Sequence, residues 1–184
     1  MSPSTARSGP VEVVDYDERW PARFEAYADE LRRALGMVAA RVDHIGSTAV
    51  PGLAAKPVID IQVSVDDVGA IDVYKPGLES IGLVHRPHPE EPEQREFFRP
   101  PGRRIVHVHV VGTGSREERR QLLHRDYLRA HPAAARQYGE LKRRLAETFR
   151  DARQDYQAAK DPFLQSMGLE AERWATETSW QPQS

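Results

Sequence analysis

The sequence contains no cysteine, which excludes disulfide bonds and thiolate metal sites. No apolar run approaches the roughly 18 residues that a membrane helix requires. The first ten residues lack the apolar core of a signal peptide. With 26 basic and 28 acidic residues, the chain also lacks the basic excess of general nucleic-acid-binding proteins. These absences favour a cytoplasmic protein that enters no membrane and has no general affinity for nucleic acid.

The length of 184 residues fits one domain with a substantial core. Residues 1–10 are rich in serine and proline and predict a disordered arm, and residues 175–184 predict a tail. Short apolar runs separated by turn residues predict a sheet within residues 11–112, whereas apolar residues recur at helical spacing in residues 113–174. The expected fold is therefore α+β, a small mixed β-sheet with flanking helices and a C-terminal helical part.

Capping residues, prolines and the spacing of apolar residues predict the individual elements. The predicted helices are one beginning near Pro21 and ending near Gly36, then Asp66–Leu78, one from Ser115 to the break at His131-Pro132, Ala133–Phe149, Asp151–Lys160 and Pro162–Trp174. The predicted strands are Val38–Ile45, Val58–Val65, Gly82–His85, Arg95–Arg99 and Ile105–Val111, with an exposed loop at Arg86–Gln94.

The most informative stretch runs from Arg41 to Val65. A short apolar-edged run stops at Gly46 and Ser47, and a later β-rich run carries Asp60 at its centre. Glycine lets the backbone approach a ligand closely, and N–H groups beside a serine hydroxyl suit a phosphate oxygen. A carboxylate on a neighbouring strand can hold a divalent cation against that phosphate. The stretch therefore predicts a phosphate site, although Gly46 and Ser47 would equally suit a plain tight turn.

Alternation along two strands brings further polar residues together. Asp60 and Gln62 share one face of their strand, and His107 and His109 share one face of theirs. If the two strands pair, these side chains converge on one pocket, with His44 nearby. Three imidazoles and a carboxylate suit a transition metal as well as, or better than, Mg²⁺. The alternative is that the histidines only form structural hydrogen bonds.

The motif HIGSTAVPGLAAKPVIDI resembles the signature of the GrpB family, which is similar to the nucleotidyltransferase superfamily. In that superfamily a Gly-Ser turn precedes a strand with two alternating carboxylates, and a later strand supplies a third acidic residue. Asp60 matches the first carboxylate, Gln62 stands at the second position, and His107 or His109 stands at the third. The likeness also covers VDYDERW, REFFR, VHVHVV, LLHRDYLRAHP, YGELKRRLA and YQAAKDPF.

The resemblance implies a role for each candidate residue. Asp60, His107, His109 and Gln62 form the expected catalytic set, and the first three are the expected metal ligands. Basic and aromatic residues of the helical part are placed as anion partners, with surface ion pairs as their alternative. The expected phosphate-binding residues are Gly46, Ser47, His44, Lys56, Arg95, Arg125, Lys142, Tyr156 and Lys160.

The leading hypothesis is an enzyme that uses ATP or another nucleoside triphosphate to modify a small-molecule acceptor, with adenylation leading to an amide or ester bond as one form. Mg²⁺ or Mn²⁺ is the expected cofactor and Zn²⁺ the alternative. A second hypothesis is a non-catalytic nucleotide- or coenzyme-binding module. Gln62 favours it, as do domains resembling this family that are fused to the kinase acting on dephospho-coenzyme A. A histidine-rich metal-dependent hydrolase is the third.

Overall fold

The computed structural model describes residues 10–87, 94–98 and 106–182. Helices and strands alternate in the first part of the chain, and only helices follow. The helices are α1 (Trp20–Leu35), α2 (Ile71–Ser80), α3 (Arg116–Ala130), α4 (Pro132–Thr148), α5 (Arg153–Ala158) and α6 (Asp161–Thr178). The strands are β1 (Arg41–Ile45), β2 (Ile59–Val65), β3 (Val84–Arg86), β4 (Gln94–Phe98) and β5 (Val106–Gly112).

The five strands form one mixed sheet in the order β1-β2-β5-β4-β3. β2 lies parallel to β5 at the centre, and the other neighbouring pairs are antiparallel. Asp60 pairs with His107 and Gln62 with His109, so the predicted pairing of these strands is confirmed. The mixed α+β architecture predicted from the sequence is therefore the observed one.

Alternation along β2 and β5 gives the sheet one apolar and one polar face. Residues such as Ile61 and Val108 are fully buried beneath α1 and α2 and belong to the main hydrophobic core. Burial of a large aliphatic side chain contributes about 1.5–3 kcal/mol, so this face fixes the register of the sheet. The opposite face carries Asp60 and its polar neighbours toward the helical part of the chain.

The helical part has a core of its own. Val50 and Leu53, from the link between β1 and β2, pack with Leu123, Tyr138 and Met167 of α3, α4 and α6. The link therefore ties the sheet to the helices at the point where the Gly-Ser turn lies.

Several helices and strands begin or end at residues other than those predicted. Residues 36–38 form a turn of 3-10 helix, so β1 begins at Arg41 rather than at Val38. Arg86 and Gln94, the ends of the predicted loop, lie in strands. Residues 175–184 were predicted as a tail, but α6 continues to Thr178 because Ala175 is buried among the helices.

The last aromatic residue also packs back on the fold. The indole Nε1 of Trp180 donates a hydrogen bond of 3.2 Å to Asp126 Oδ2. Two predicted segments lie mostly outside the described residues: the arm, at 1–9, and the loop, at 88–93. Within the described ranges, no helix has the length and apolar character needed to cross a membrane.

Candidate functional site

A cavity of about 360 Å³ lies between the polar face of the sheet and the helices α3 to α5. Its walls come from the end of β1, the Gly-Ser turn, the beginning of β2, the strand β5 and three helical segments. Nine of the residues predicted for the site line it: Gly46, Ser47, Lys56, Asp60, His107, His109, Lys142, Tyr156 and Lys160. The fold thus brings together residues that are more than 100 positions apart in sequence.

The turn at Gly46 is built around Asp60. Gly46 has φ 70° and ψ −170°, a conformation that is essentially restricted to glycine. A Cβ atom at this position would lie 2.7 Å from Asp60 Oδ2, closer than real contacts allow. The absence of a side chain therefore lets one oxygen of the Asp60 carboxylate pack directly against the backbone of the turn.

The other carboxylate oxygen faces two imidazoles. Asp60 Oδ1 lies 3.4 Å from His107 Nδ1 and 3.7 Å from His109 Nε2. Burial raises the pKa of Asp60, but interactions with His107 and His109 more than offset that effect and hold the pKa below its usual range. Asp60 is therefore an anion at neutral pH, and its side chain is 30% exposed.

Two tyrosine–lysine pairs form the opposite wall. The pairs Tyr138–Lys142 and Tyr156–Lys160 are each four residues apart, so the members of a pair lie one helical turn from each other. Each ammonium lies over the ring of its own tyrosine, with Nζ to centroid distances of 4.4 Å and 4.8 Å. Lys56 Nζ lies 5.6 Å from the Tyr156 ring centroid. Aromatic rings thus support three ammonium groups at one cavity.

Lys142 is the most unusual of these residues. It is 3% exposed, and its Nζ has no hydrogen-bond partner within the described part of the chain. Burial lowers the pKa of Lys142 well below its ordinary value, and the positive charges of Lys160 and Lys56 lower the pKa further. Burial of an ammonium without an acceptor is costly.

Ser47 contacts the same wall through its side chain. It is hydrogen-bonded to the side chain of Tyr138. Burial raises the pKa of the Tyr138 hydroxyl, so this group stays protonated and acts as a hydrogen-bond donor or acceptor in neutral form. Burial also raises the pKa of Tyr156 to about 12. The cavity therefore holds two neutral phenols beside its three lysines.

His44 was predicted as a phosphate-binding residue, and the structure corrects this. His44 and Asp60 lie on opposite faces of the sheet, because His44 pairs with Ile61 of the core face. The imidazole stacks on Phe24 with centroids 4.8 Å apart, and its Nε2 lies 3.0 Å from Thr48 Oγ1. Burial lowers its pKa to about 4, so the ring is neutral and cannot attract a phosphate by charge.

Arg125 was also placed with the phosphates, but it supports the fold instead. Its buried guanidinium lies 2.7 Å from Asp126 Oδ1 and 3.6 Å from Asp43 Oδ1. Its Nη1 also donates a 3.2 Å hydrogen bond to the carbonyl oxygen of His44. These contacts join α3 to β1, and Arg125 does not line the cavity.

Arg95 and Gln62 lie outside the cavity for two different reasons. Arg95 pairs with Val110, so it lies on the face of the sheet that α1 and α2 cover. Gln62 shares the face of Asp60 but is completely buried. Neither polar atom of its side chain has a hydrogen-bond partner among the described residues. The predicted roles of these two residues at the ligand therefore find no support in their positions.

Among the residues that line the cavity, sequence reasoning missed one tyrosine and two glutamines. The spacing of Tyr138 with Leu141 and Leu145 is typical of a core position, and Tyr138 is indeed buried, but it also lines the cavity. Its spacing of four from Lys142 is the signal that would have found it. Gln121 and Gln157 also line the cavity. Nothing in the local sequence distinguishes these glutamines from ordinary residues of a helix surface.

The residues present do not fit the paired carboxylates that hold two metal ions in phosphoryl transfer. Asp60 is the one carboxylate at the cavity among the described residues, and Gln62 is neutral and buried. Among those residues no three histidine, aspartate or glutamate side chains are arranged to hold a metal ion. Of the expected metal ligands, Asp60 lies within 3.7 Å of both His107 and His109.

A sequence profile of the family described as GrpB protein matches residues 10–169. The chain belongs to the GrpB family. Family relatives include the UPF0157 protein SCO7215 of Streptomyces coelicolor, which is 43% identical over 83% of this chain and 79% of its own length. The UPF0157 protein YqkA of Bacillus subtilis is 33% identical over 89% of this chain, which spans only 48% of that relative.

A relative with a more specific name extends well beyond this chain. The dephospho-CoA kinase of Mycolicibacterium paratuberculosis is 34% identical over 94% of this chain, and the match covers 49% of the kinase. The chain therefore corresponds to about half of that protein.

Similar solved structures identify the type of fold. The crystal structure of the conserved protein GrpB from Enterococcus faecalis matches with a TM-score of 0.81 and 36% identity, covering 89% of this chain and 99% of that one. The Cid1 poly(U) polymerase matches with a TM-score of 0.51 and 15% identity, covering 73% and 44%. This member of the GrpB family thus has a nucleotidyltransferase-like fold.

Proposed function

We propose that the cavity binds the phosphate chain of a nucleotide, either a nucleoside triphosphate such as ATP or a nucleotide coenzyme. The observation that carries the proposal is the position of Lys142, whose ammonium is buried at the cavity without an acceptor in the described part of the chain. An anionic oxygen at this position would remove the desolvation cost and form a charge-assisted hydrogen bond.

The remaining walls suit the same ligand. Lys56 and Lys160 add two positive charges, and their contacts with the Tyr156 ring limit the conformational freedom that binding would otherwise remove. The Gly46 backbone permits close approach on the other side. A cavity with three lysines and one carboxylate, itself accompanied by two imidazoles, favours a polyanion over a neutral or cationic ligand.

The test is a calorimetric titration of the purified protein with ATP, tripolyphosphate and adenosine, with dephospho-CoA as a coenzyme-type ligand. The name of the dephospho-CoA kinase relative supports including the last compound. We expect ATP and tripolyphosphate to bind and adenosine to bind far more weakly. Adenosine binding as tightly as ATP would contradict recognition through phosphates.

Matched lysine variants make the test specific to the cavity. Lys160→Met removes one cavity charge and is expected to weaken ATP binding by about tenfold, or 1.4 kcal/mol. Lys75→Met removes a charge from α2, where Lys75 lies 3.8 Å from Glu79 and outside the cavity, and should leave the affinity unchanged. Equal losses in both variants would mean that net charge, not the cavity, determines binding.

Nucleotidyl transfer to a small-molecule acceptor is a second candidate. The contact of Asp60 with the Gly46 turn favours it, because it is the arrangement expected of a nucleotidyltransferase-like site. In this reaction a nucleophile of the acceptor would attack the α-phosphorus, form the new bond there and release pyrophosphate. Pyrophosphate release that depends on an acceptor, measured by a coupled phosphate assay, would support the transferase, and its absence across acceptor classes would favour a binding module.

A further inference from the structure

The side chains of this cavity differ from those of a two-metal site. The difference bears on whether a nucleotide would bind here with or without divalent metal ions. Two-metal phosphoryl transfer needs several anionic oxygens to hold the cations. Here Asp60 is paired on the sheet with His107, and Gln62 with His109, so imidazoles and an amide accompany the single carboxylate. An amide contributes no charge, and that of Gln62 is buried away from the cavity.

The Asp60 carboxylate, whose side chain is 30% exposed, has protein groups close to both of its oxygens. Oδ2 is the atom that a Cβ at Gly46 would approach to 2.7 Å, so this oxygen packs on the turn. Oδ1 faces both His107 Nδ1 and His109 Nε2 within 3.7 Å. A metal ion bound at Oδ1 would compete with these two imidazoles for the same oxygen.

Positive charge at the opposite wall is supplied by side chains. Lys142, Lys160 and Lys56 share one cavity, and the positive charges of Lys160 and Lys56 act on Lys142 across it. Like charges held together in a poorly hydrated place favour a polyanion that bridges them. A phosphate chain whose charge is already neutralised by a divalent cation would attract these lysines less strongly than a phosphate chain without metal.

We infer that this cavity takes its nucleotide free of metal, with the lysine ammonium groups in place of the divalent cations of nucleotidyltransferases. The inference rests on the proposed phosphate binding and names the form of ligand recognised. In this arrangement Asp60 acts as a positioning residue: it holds His107 and His109 at the cavity and contributes no metal coordination.

The test is to titrate the wild-type protein with ATP in excess EDTA and again in excess Mg²⁺. We expect binding in EDTA to be at least as tight as in Mg²⁺. Binding that requires Mg²⁺ or Mn²⁺ would overturn the inference while leaving phosphate binding intact. Absence of ATP binding in both conditions would instead refute the proposed function, so the two failures are distinguishable.

Asp60→Asn gives opposite expectations for the two cases. If the nucleotide binds free of metal, removal of a negative charge from the cavity leaves the ATP affinity in EDTA unchanged or increases it. If Asp60 holds a metal, the affinity in Mg²⁺ falls by roughly tenfold or more. Circular dichroism verifies that the variant is folded. If the variant does not fold, electron paramagnetic resonance of Mn²⁺ mixed with the wild-type protein, without nucleotide, replaces it as the test. We expect the signal of free Mn²⁺ to stay unchanged when protein is added. Loss of that signal would contradict the inference.

Discussion

Lys142→Met should make the free protein more stable while weakening its proposed ligand binding. Methionine retains most of the buried side-chain volume and removes the ammonium that has no acceptor among the described residues. Removing a buried unsatisfied polar group recovers about 1–3 kcal/mol. The substitution also removes the contact between the ammonium and the Tyr138 ring, whose centroid lies 4.4 Å from Nζ. Loss of this contact reduces the gain in stability by about 0.5–1 kcal/mol.

The net gain expected at neutral pH is therefore between about 0 and about 2.5 kcal/mol. For a domain of this length each kcal/mol raises Tm by about 2–4 °C, which gives an expected increase of up to roughly 10 °C. The gain depends on pH because the pKa of Lys142 is lowered in the folded state. Above that lowered pKa, and up to the ordinary lysine value of 10.5, the unfolded chain binds more protons. Wild-type stability therefore rises with pH in this window, and the advantage of the variant shrinks.

Thermal denaturation at about pH 7 and about pH 9.5 measures both effects. Lys75→Met is the control, because Lys75 is partly exposed and its loss should change the free energy of unfolding by no more than about 0.5 kcal/mol. A Lys142→Met protein less stable than the wild type by several kcal/mol would refute the reasoning. It would mean that the ammonium has an acceptor and supports the fold.

Three further substitutions test other parts of the account. Gly46→Ala forces a side chain into a glycine conformation and should cost about 1–3 kcal/mol in urea denaturation, with loss of ATP binding. Tyr156→Leu removes the ring beneath two lysines, at about 0.5–1 kcal/mol for each contact, and calorimetry should show a several-fold loss of ATP affinity. Arg125→Met removes the buried partner of Asp43 and Asp126, which keep Arg41 and Arg129 beside them, and should lower the free energy of unfolding by about 1.5–3 kcal/mol.

The sheet and the polar cluster were predictable because alternation has a period of two. In β2 and β5 that period places Asp60 and both His107 and His109 on one face once the strands are paired. The same reasoning failed for His44. Alternation assigns it to one face of β1, but only the antiparallel register with β2 determines which face meets Asp60.

The other incorrect or incomplete predictions concern residues whose contacts lie far away in the sequence. Arg125 is paired with its neighbour Asp126 and with Asp43 of a distant strand, and no local pattern shows that an arginine on a helix is buried against that strand. The spacing of Tyr138 indicates a core residue, which is correct for its ring, but the spacing does not show that the residue also lines the cavity. The repeated spacing of tyrosine and lysine in YGELK and YQAAK was visible in the sequence. Its meaning depends on two helical segments meeting at one cavity.

A crystal structure of the protein with ATP, grown in EDTA, tests the central claim most directly. The account predicts the triphosphate in the cavity, with a phosphate oxygen within hydrogen-bond distance of Lys142 Nζ and the chain extending between Lys56 and Lys160. Phosphates bound elsewhere, or a cavity that stays unchanged at saturating ATP, would contradict it.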